Sequence, residues 1–232
     1  MKRDIVYILR EDIEPEELRY SLRSVVKNFP HNKVWFVGGD PKILVPDVAL
    51  YHKQEGFDKW DRIRNSLWKA IHDERLSEEF YLFNDDFFVM KKFKGEFVNY
   101  TEKTLTWRVE QIMAEVNPWG NGYSRSVWKV AQELKMQGRS EKNFELHVPM
   151  LMEKERAKAS IYKVSASQMR SIYGNLNDDL PTIERDDVKV YGLDEVPEDA
   201  DFISTNDDTF KDGKVGKFIR ETFDKPSRFE TR

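Results

Sequence analysis

The spacing of apolar residues changes period several times along the first half of the chain. Residues 4–9, DIVYIL, form a short run of strand length. Leu18, Leu22, Val25, Val26 and Phe29 then recur at helical spacing, and Pro15 ahead of Glu16 and Glu17 suits a helix start. Val34-Trp35-Phe36-Val37 is a second strand-like run, ended by Gly38-Gly39, and residues 48–51 form a weaker third. Trp60, Ile63, Leu67 and Ile71 mark one stripe of a helix over residues 58 to about 75, and residues 80–83 are again strand-like. This alternation predicts parallel strands joined by crossover helices.

The second half is more helical. Helices are predicted over residues 104–116, 124–137, 165–172 and 215–223. Residues 175–198 are acidic and turn-rich, with a short strand expected at 188–191 and another at 202–204. No internal repeat or long linker divides the chain, so residues 1–232 read as a single α/β domain with a mostly parallel central sheet flanked by helices.

The segment YLFNDDFFVM, residues 81–90, places Asn84-Asp85-Asp86 between two apolar stretches that read as buried strand. Asp and Asn are poor strand formers. Carboxylates beside a core must be paired, hydrated or bound to a cation, because an unpaired buried charge is too costly. In isolation such a triplet is a tight turn. Here it follows a strand in an alternating α/β half, where ligands collect beyond the carboxyl ends of the strands. Arg10-Glu11-Asp12, Gly38-Gly39-Asp40 and Asn84-Asp85-Asp86 all lie at expected strand ends, so the fold should gather them at one rim. An acidic turn there can hold a divalent ion through oxygen ligands, and the ion can bridge a diphosphate.

Composition narrows the chemistry. A net charge of −4 on 232 residues, with many charges of both signs, argues against a general nucleic-acid binder. With no cysteine, a metal site must use oxygen or histidine ligands, and a reducing compartment is favoured. Aromatic residues make up 13% of the chain, so an aromatic-rich core is expected. No apolar run is long enough to span a bilayer, and the first one, broken by Arg10, is too short for a signal segment; the expected location is the cytoplasm.

Residues 84–86 resemble the acidic metal-binding signature of glycosyltransferases with the GT-A fold. Several segments are more closely similar to the Stealth family of sugar-phosphate transferases. Residues 17–24, ELRYSLRS, resemble that family's segment of the same sequence, and residues 81–88 its YFNDDxF segment. His147-Val148-Pro149 resembles its later His-any-Pro, and residues 170–175 its Arg-any-any-Tyr-Gly. The matches stand in family order. A family Val-Asp-Gly after the first strand is replaced here by Arg10-Glu11-Asp12. The resemblance implies a GT-A-like, Rossmann-related fold. Residues 1–100 would then bind a nucleotide-diphosphate sugar, and residues 101–232 would form a helical acceptor side with a closing C-terminal segment.

By the same resemblance Asp86 would be the main ligand of a Mn2+ or Mg2+ ion. Asp85 would share the ion or touch the donor, and Asn84 would orient both carboxylates. His147 would complete the metal site or act as acid or base. Gly38, Gly39 and Asp40 are donor-contact candidates because glycines admit close backbone approach. Arg10, Arg62 and Arg170 are phosphate candidates, arginine offering a fixed fork to phosphate oxygens, whereas Arg23 points outward. Asn65 lies near a family Asn-rich stretch. Asp207 and Asp208, in a second acidic turn, are candidates to activate an acceptor hydroxyl, and Trp119 to stack on a sugar. His31, His52 and His72 are expected to face solvent.

Three functions compete. The first is metal-dependent glycosyl transfer from a nucleotide sugar to an acceptor hydroxyl on a polysaccharide, protein or modified nucleobase. The second is transfer of a sugar 1-phosphate with release of a nucleoside monophosphate. The third is a non-catalytic binding module on the same scaffold, since fold does not fix function.

Overall fold

The computed structural model describes residues 3–13, 15–115, 122–165 and 168–231. Strand β1 (Asp4–Leu9) is followed by helix α1 (Pro15–Asn28), β2 (Val34–Gly38) and β3 (Val48–Tyr51). Helix α2 (Lys59–Ile71) leads to β4 (Glu79–Phe83). These four strands run parallel, and β1 lies between β2 and β4. The periodicity of the first half is thus met by a parallel sheet whose faces are both covered. Tyr7 and Phe83 on one face pack with Leu18, Leu22 and Val25 of α1. Val6 and Leu82 on the other pack with Leu67, Ala70 and Ile71 of α2.

Helix α2 is shorter than its pattern suggests. Asp58 caps it, accepting from the Trp60 and Asp61 amides at 2.9 Å each. It stops at Ile71, and Asp73 turns the chain by accepting from the Arg75 amide and guanidinium.

Beyond the acidic turn, β5 (Phe87–Val89) leaves the main sheet. Next come β6 (Asn99–Thr104), α3 (Leu105–Glu115) and α4 (Gly122–Met136). Residues 116–121, which include Trp119, lie outside the described residues. Strand β7 (Lys142–Asn143) precedes β8 (Met150–Glu153), which joins β4 antiparallel and forms one edge of the central sheet, in the order β3-β2-β1-β4-β8. The second half therefore completes the first half's sheet. Asn99 satisfies the outer side of β8, its side chain accepting from Leu151 N at 2.8 Å and donating to Leu151 O at 2.9 Å.

Helices α5 (Lys154–Ser160) and α6 (Met169–Leu176) follow, the second starting four residues later than predicted. After β9 (Thr182–Glu184), residues 185–190 form a strap tied at its two ends, Arg185 N donating to Thr101 O at 2.9 Å and Val190 N to Ser204 O at 2.8 Å. The strand expected at 188–191 is there only as a single bridge, Lys189 to Ser204. Strand β10 (Phe202–Ser204) pairs antiparallel with β5. The chain then forms α7 (Asp207–Lys211) and α8 (Lys214–Thr222).

Candidate active site

The acidic turn is held by α1. Ser21 donates to Phe87 O at 2.5 Å and shares a 2.9 Å bond with the Tyr7 hydroxyl. Ser24 accepts from Val89 N at 2.9 Å, and Asn28 donates to Val89 O at 2.7 Å. These side chains do for β5 what a neighbouring strand would otherwise do, each bond contributing about 1 kcal/mol net. The chain can therefore leave the sheet after Phe83, expose Asn84-Asp85-Asp86 at the rim, and re-enter the core at Phe87. Residues 17–24 and 81–88 are thus one physical unit.

Three acids meet at this rim. Asp86 accepts from Lys189 Nζ at 3.0 Å and from Ser204 Oγ at 2.9 Å, both on Oδ2. Asp85 has its own backbone amide and the more distant charges of Arg10 and Lys189; burial and the Asp86 charge push its carboxyl up to about 6. Glu17, from the first turn of α1, accepts from Thr205 Oγ1 at 2.9 Å. Burial, then the Asp86 charge, push it up to about 7. Sequence reasoning did not single out Glu17 as a site residue. The signal was its position at the head of the ELRYSLRS segment.

The other side of the site centres on Phe87. The Arg170 guanidinium lies 5.2 Å over its ring, and the His147 ring meets it edge-on at 6.3 Å. Arg170 is buried, donating to Val148 O at 2.8 Å and to Asn84 Oδ1 at 3.1 Å. Burial brings it down to about 10, with Glu145, Asp86 and Asp187 opposing the shift. It thus orients Asn84 from beneath. His147 Nδ1 donates to Asp187 Oδ2 at 2.7 Å, and the His147 amide donates to Asp187 Oδ1 at 2.9 Å. Asp187 is held down at about 2 by these bonds and the His147 charge, despite its burial. The carboxylate fixes the imidazole tautomer and leaves Nε2 for proton transfer. Asp187 and Lys189 were not read from the sequence. Both come from the strap, which alternates Asp187 onto His147 and Lys189 onto Asp86.

The remaining predicted residues fall in several places. Gly38 has φ +101°, and a Cβ there would stand 2.5 Å from Leu9 O; one on Gly39 would stand 1.9 Å from Arg10 O. The pair therefore lets β2 and the end of β1 turn together at the rim. Asp40 is exposed and accepts from Lys42 N, a local turn. Arg10 is exposed, 3.9 Å from Asp12. Arg62 is exposed on α2, and Asn65 beside it donates to Glu55 O and accepts from Tyr162. Asp207 and Asp208 are exposed in the first turn of α7, whose cap is Asn206. Arg23 turns to Glu230 with two bonds of 2.8 and 2.7 Å. Of the other histidines only His72 is exposed; His52 is half-buried against Ser66, and His31 against Phe29 O.

A cavity of about 770 Å³ borders the strap, lined by Tyr100, Arg185, Asp187, Lys189, Glu195 and Phe202 among others. Among the described residues no group of three or more His, Asp or Glu side chains is arranged to hold a metal ion. The acidic turn supplies two carboxylates, a donor set of the kind that holds magnesium with one or two acids plus substrate phosphates rather than in an all-protein cage. An ion held there would need its remaining ligands from a bound molecule. No helix among the described residues is long and apolar enough to cross a membrane.

The fold and rim define an α/β protein with a polar site at the carboxyl edge of a mostly parallel sheet. No protein-family model matches the chain, and no curated protein matches it in sequence. Among solved structures, two of the glycosyltransferase GlyE from Streptococcus pneumoniae TIGR4 align with it. The apo form gives a TM-score of 0.38 at 10% identity, and the second structure 0.40 at 8%. Each alignment covers 96% of this chain, which spans 60% of the GlyE chain. Likeness at that level carries no functional argument.

Proposed function

We propose that the protein is a nucleotide-sugar-dependent transferase, most simply a glycosyltransferase acting on an acceptor hydroxyl. One observation carries this reading: Asp85 and Asp86 stand together at the carboxyl edge of the parallel sheet, half-buried, and among the described residues Asp85 has no donor but its own amide. The resemblance of residues 17–24 and 81–88 to nucleotide-sugar enzymes agrees with it.

Asp85 and Asp86 would hold a Mn2+ or Mg2+ ion, which, when bound, would offset the charge growing on the donor's departing phosphates. Asn84, oriented by Arg170, would meet a donor hydroxyl or the ribose. Arg10, exposed just beyond the end of β1, would reach toward the phosphates. His147, with Nδ1 fixed on Asp187, would take the acceptor's proton on Nε2 as the acceptor oxygen attacks the anomeric carbon and the bond to the diphosphate breaks. Its tie to Asp187 makes it a better base than Asp207 or Asp208. The cavity beside the strap reaches Asp187 and Lys189 and is assigned to the acceptor.

The His147–Asp187 pair also favours a second reading, attack on phosphorus with transfer of a sugar 1-phosphate. Incubation with Mn2+ and a panel of nucleotide sugars separates the two: a released nucleoside diphosphate supports glycosyl transfer, and a monophosphate the alternative. Absence of any nucleotide release, with no donor raising the melting temperature, would overturn both and leave a binding module.

A further inference from the structure

The ammonium of Lys189 sits on one of the two Asp86 oxygens that the proposed ion would draw on. Its Nζ is 3.0 Å from Asp86 Oδ2, an oxygen that also accepts from Ser204. Both side chains of the ion pair are only 15% exposed. A divalent ion takes carboxylate oxygens at about 2.0–2.1 Å for Mg2+, and an ammonium on the same oxygen would be driven away from it by like charge. Lysine can yield, because its charge is a compact point on a flexible four-carbon stem, while the bridge to Ser204 keeps its backbone in place. Three other acidic groups lie near the ammonium, Asp85, Asp187 and the Tyr191 hydroxyl; Asp187 is already committed to His147, and Asp85 would be taken up by the ion. With both turn carboxylates on the ion, a diphosphate oxygen would be the acceptor open to the displaced ammonium.

We propose that Lys189 is a displaceable counter-ion that makes divalent-cation binding contingent on a nucleoside diphosphate. Without nucleotide the ammonium neutralises Asp86 and keeps the ion weakly bound. With nucleotide it moves from Asp86 to the phosphates, freeing the carboxylate for the ion. Cation and nucleotide then bind with positive coupling, equal in both directions. This inference rests on the transferase reading and identifies Lys189 as a positioning residue of the same site.

The test is Mn2+ binding, read by calorimetry and by loss of the free-Mn2+ electron paramagnetic resonance signal, with MnCl2 alone and with MnCl2 plus saturating UDP, GDP, CDP or ADP, each measured against the same mixture without protein. The wild-type protein should bind Mn2+ at least about tenfold more tightly with its preferred nucleotide than without. Lys189→Met should bind Mn2+ alone about tenfold more tightly than wild type, and the coupling should shrink by about that factor, the ion's direct contact with the phosphates remaining. Ser204→Ala, which removes the other donor to Asp86 and keeps the ammonium, should retain the coupling; a far-ultraviolet circular dichroism spectrum checks that each variant is folded. Equal Mn2+ affinity of wild type and Lys189→Met without nucleotide, or unchanged coupling in Lys189→Met, would overturn the role of Lys189 and leave the transferase reading standing. No Mn2+ binding by either protein under any condition would overturn the two-carboxylate ion site itself, and this inference with it.

Discussion

The central sheet carries buried or half-buried aspartates at both ends of its strands, and the two ends are built on opposite terms. At the amino end, Asp4 of β1 is fully enclosed and accepts four hydrogen bonds. Asn32 Nδ2 and Lys33 N reach Oδ1 at 2.9 and 3.1 Å, and Trp35 Nε1 and Ser77 N reach Oδ2 at 2.9 and 3.1 Å. That carboxylate ties β1 to the starts of β2 and β4. At the carboxyl end, Asp85 relies on its own amide, Asp86 shares one oxygen between a lysine and a serine, and Glu17 stands beside them. A carboxylate with a full set of donors is structural. Carboxylates crowded together with too few donors store repulsion that a cation can relieve.

The sharpest way to break this contrast is to remove each kind of aspartate. Asp4→Ala orphans four donors, two of them backbone amides, and should cost about 4 kcal/mol in urea denaturation. A loss under about 1 kcal/mol would show that the amino-end carboxylate is dispensable.

The pH dependence of stability should come next in size. Unfolded carboxyls lose their protons near pH 4, whereas Asp85 and Glu17 in the folded protein hold theirs to about 6 and about 7. The folded state binds more protons between those values, so this contribution is present below pH 4 and is lost as pH rises through 7. In chelator, stability should therefore fall by about 3–4 kcal/mol between pH 5 and pH 8, and Mn2+ with nucleotide should restore part of it. Asp187, held at about 2, works the other way, its contribution being lost only as pH falls below 4 toward 2. A chelated protein as stable at pH 8 as at pH 5 would count against the crowding of the rim.

Asp85→Asn should stabilise the metal-free protein at pH 8 by about 1–2 kcal/mol while abolishing nucleotide release, as expected where a site holds strain for function. Asp187→Asn should fold normally and lower kcat about tenfold with little change in the donor's KM, because it disturbs the His147 tautomer and not donor binding. The acidic limb of its pH–rate profile should also move, a change that a purely structural role for Asp187 would not produce.

Much of the first half was legible because its signals are local. The apolar period set β1, α1, β2, α2 and β4, and their alternation set the parallel order. The convergence of Arg10, Gly39 and Asp86 at one rim followed from that order. What escaped depends on pairing across long stretches of chain. NYTEKT, residues 99–104, is too polar to read as a strand, yet it pairs with β7 and β9. MLME, residues 150–153, is only four residues long and becomes a strand because β4 has a free edge. Lys189 and Asp187 looked like ordinary members of an acidic, turn-rich stretch. Their partners lie 103 and 40 residues away, so no local pattern could pair them. Arg170 was read as a phosphate ligand, but burial and the carbonyls of Val148 and Asn84 give it the task of holding the turn.

The most direct measurement is the melting temperature of the wild-type protein and of Asp86→Asn in Mn2+ with each nucleoside diphosphate in turn. Wild type should gain several degrees with one nucleotide and Mn2+ together, and Asp86→Asn, still folded, should gain none. Equal shifts in the two proteins, or no shift in either, would contradict a rim built to grip a cation and a donor's phosphates.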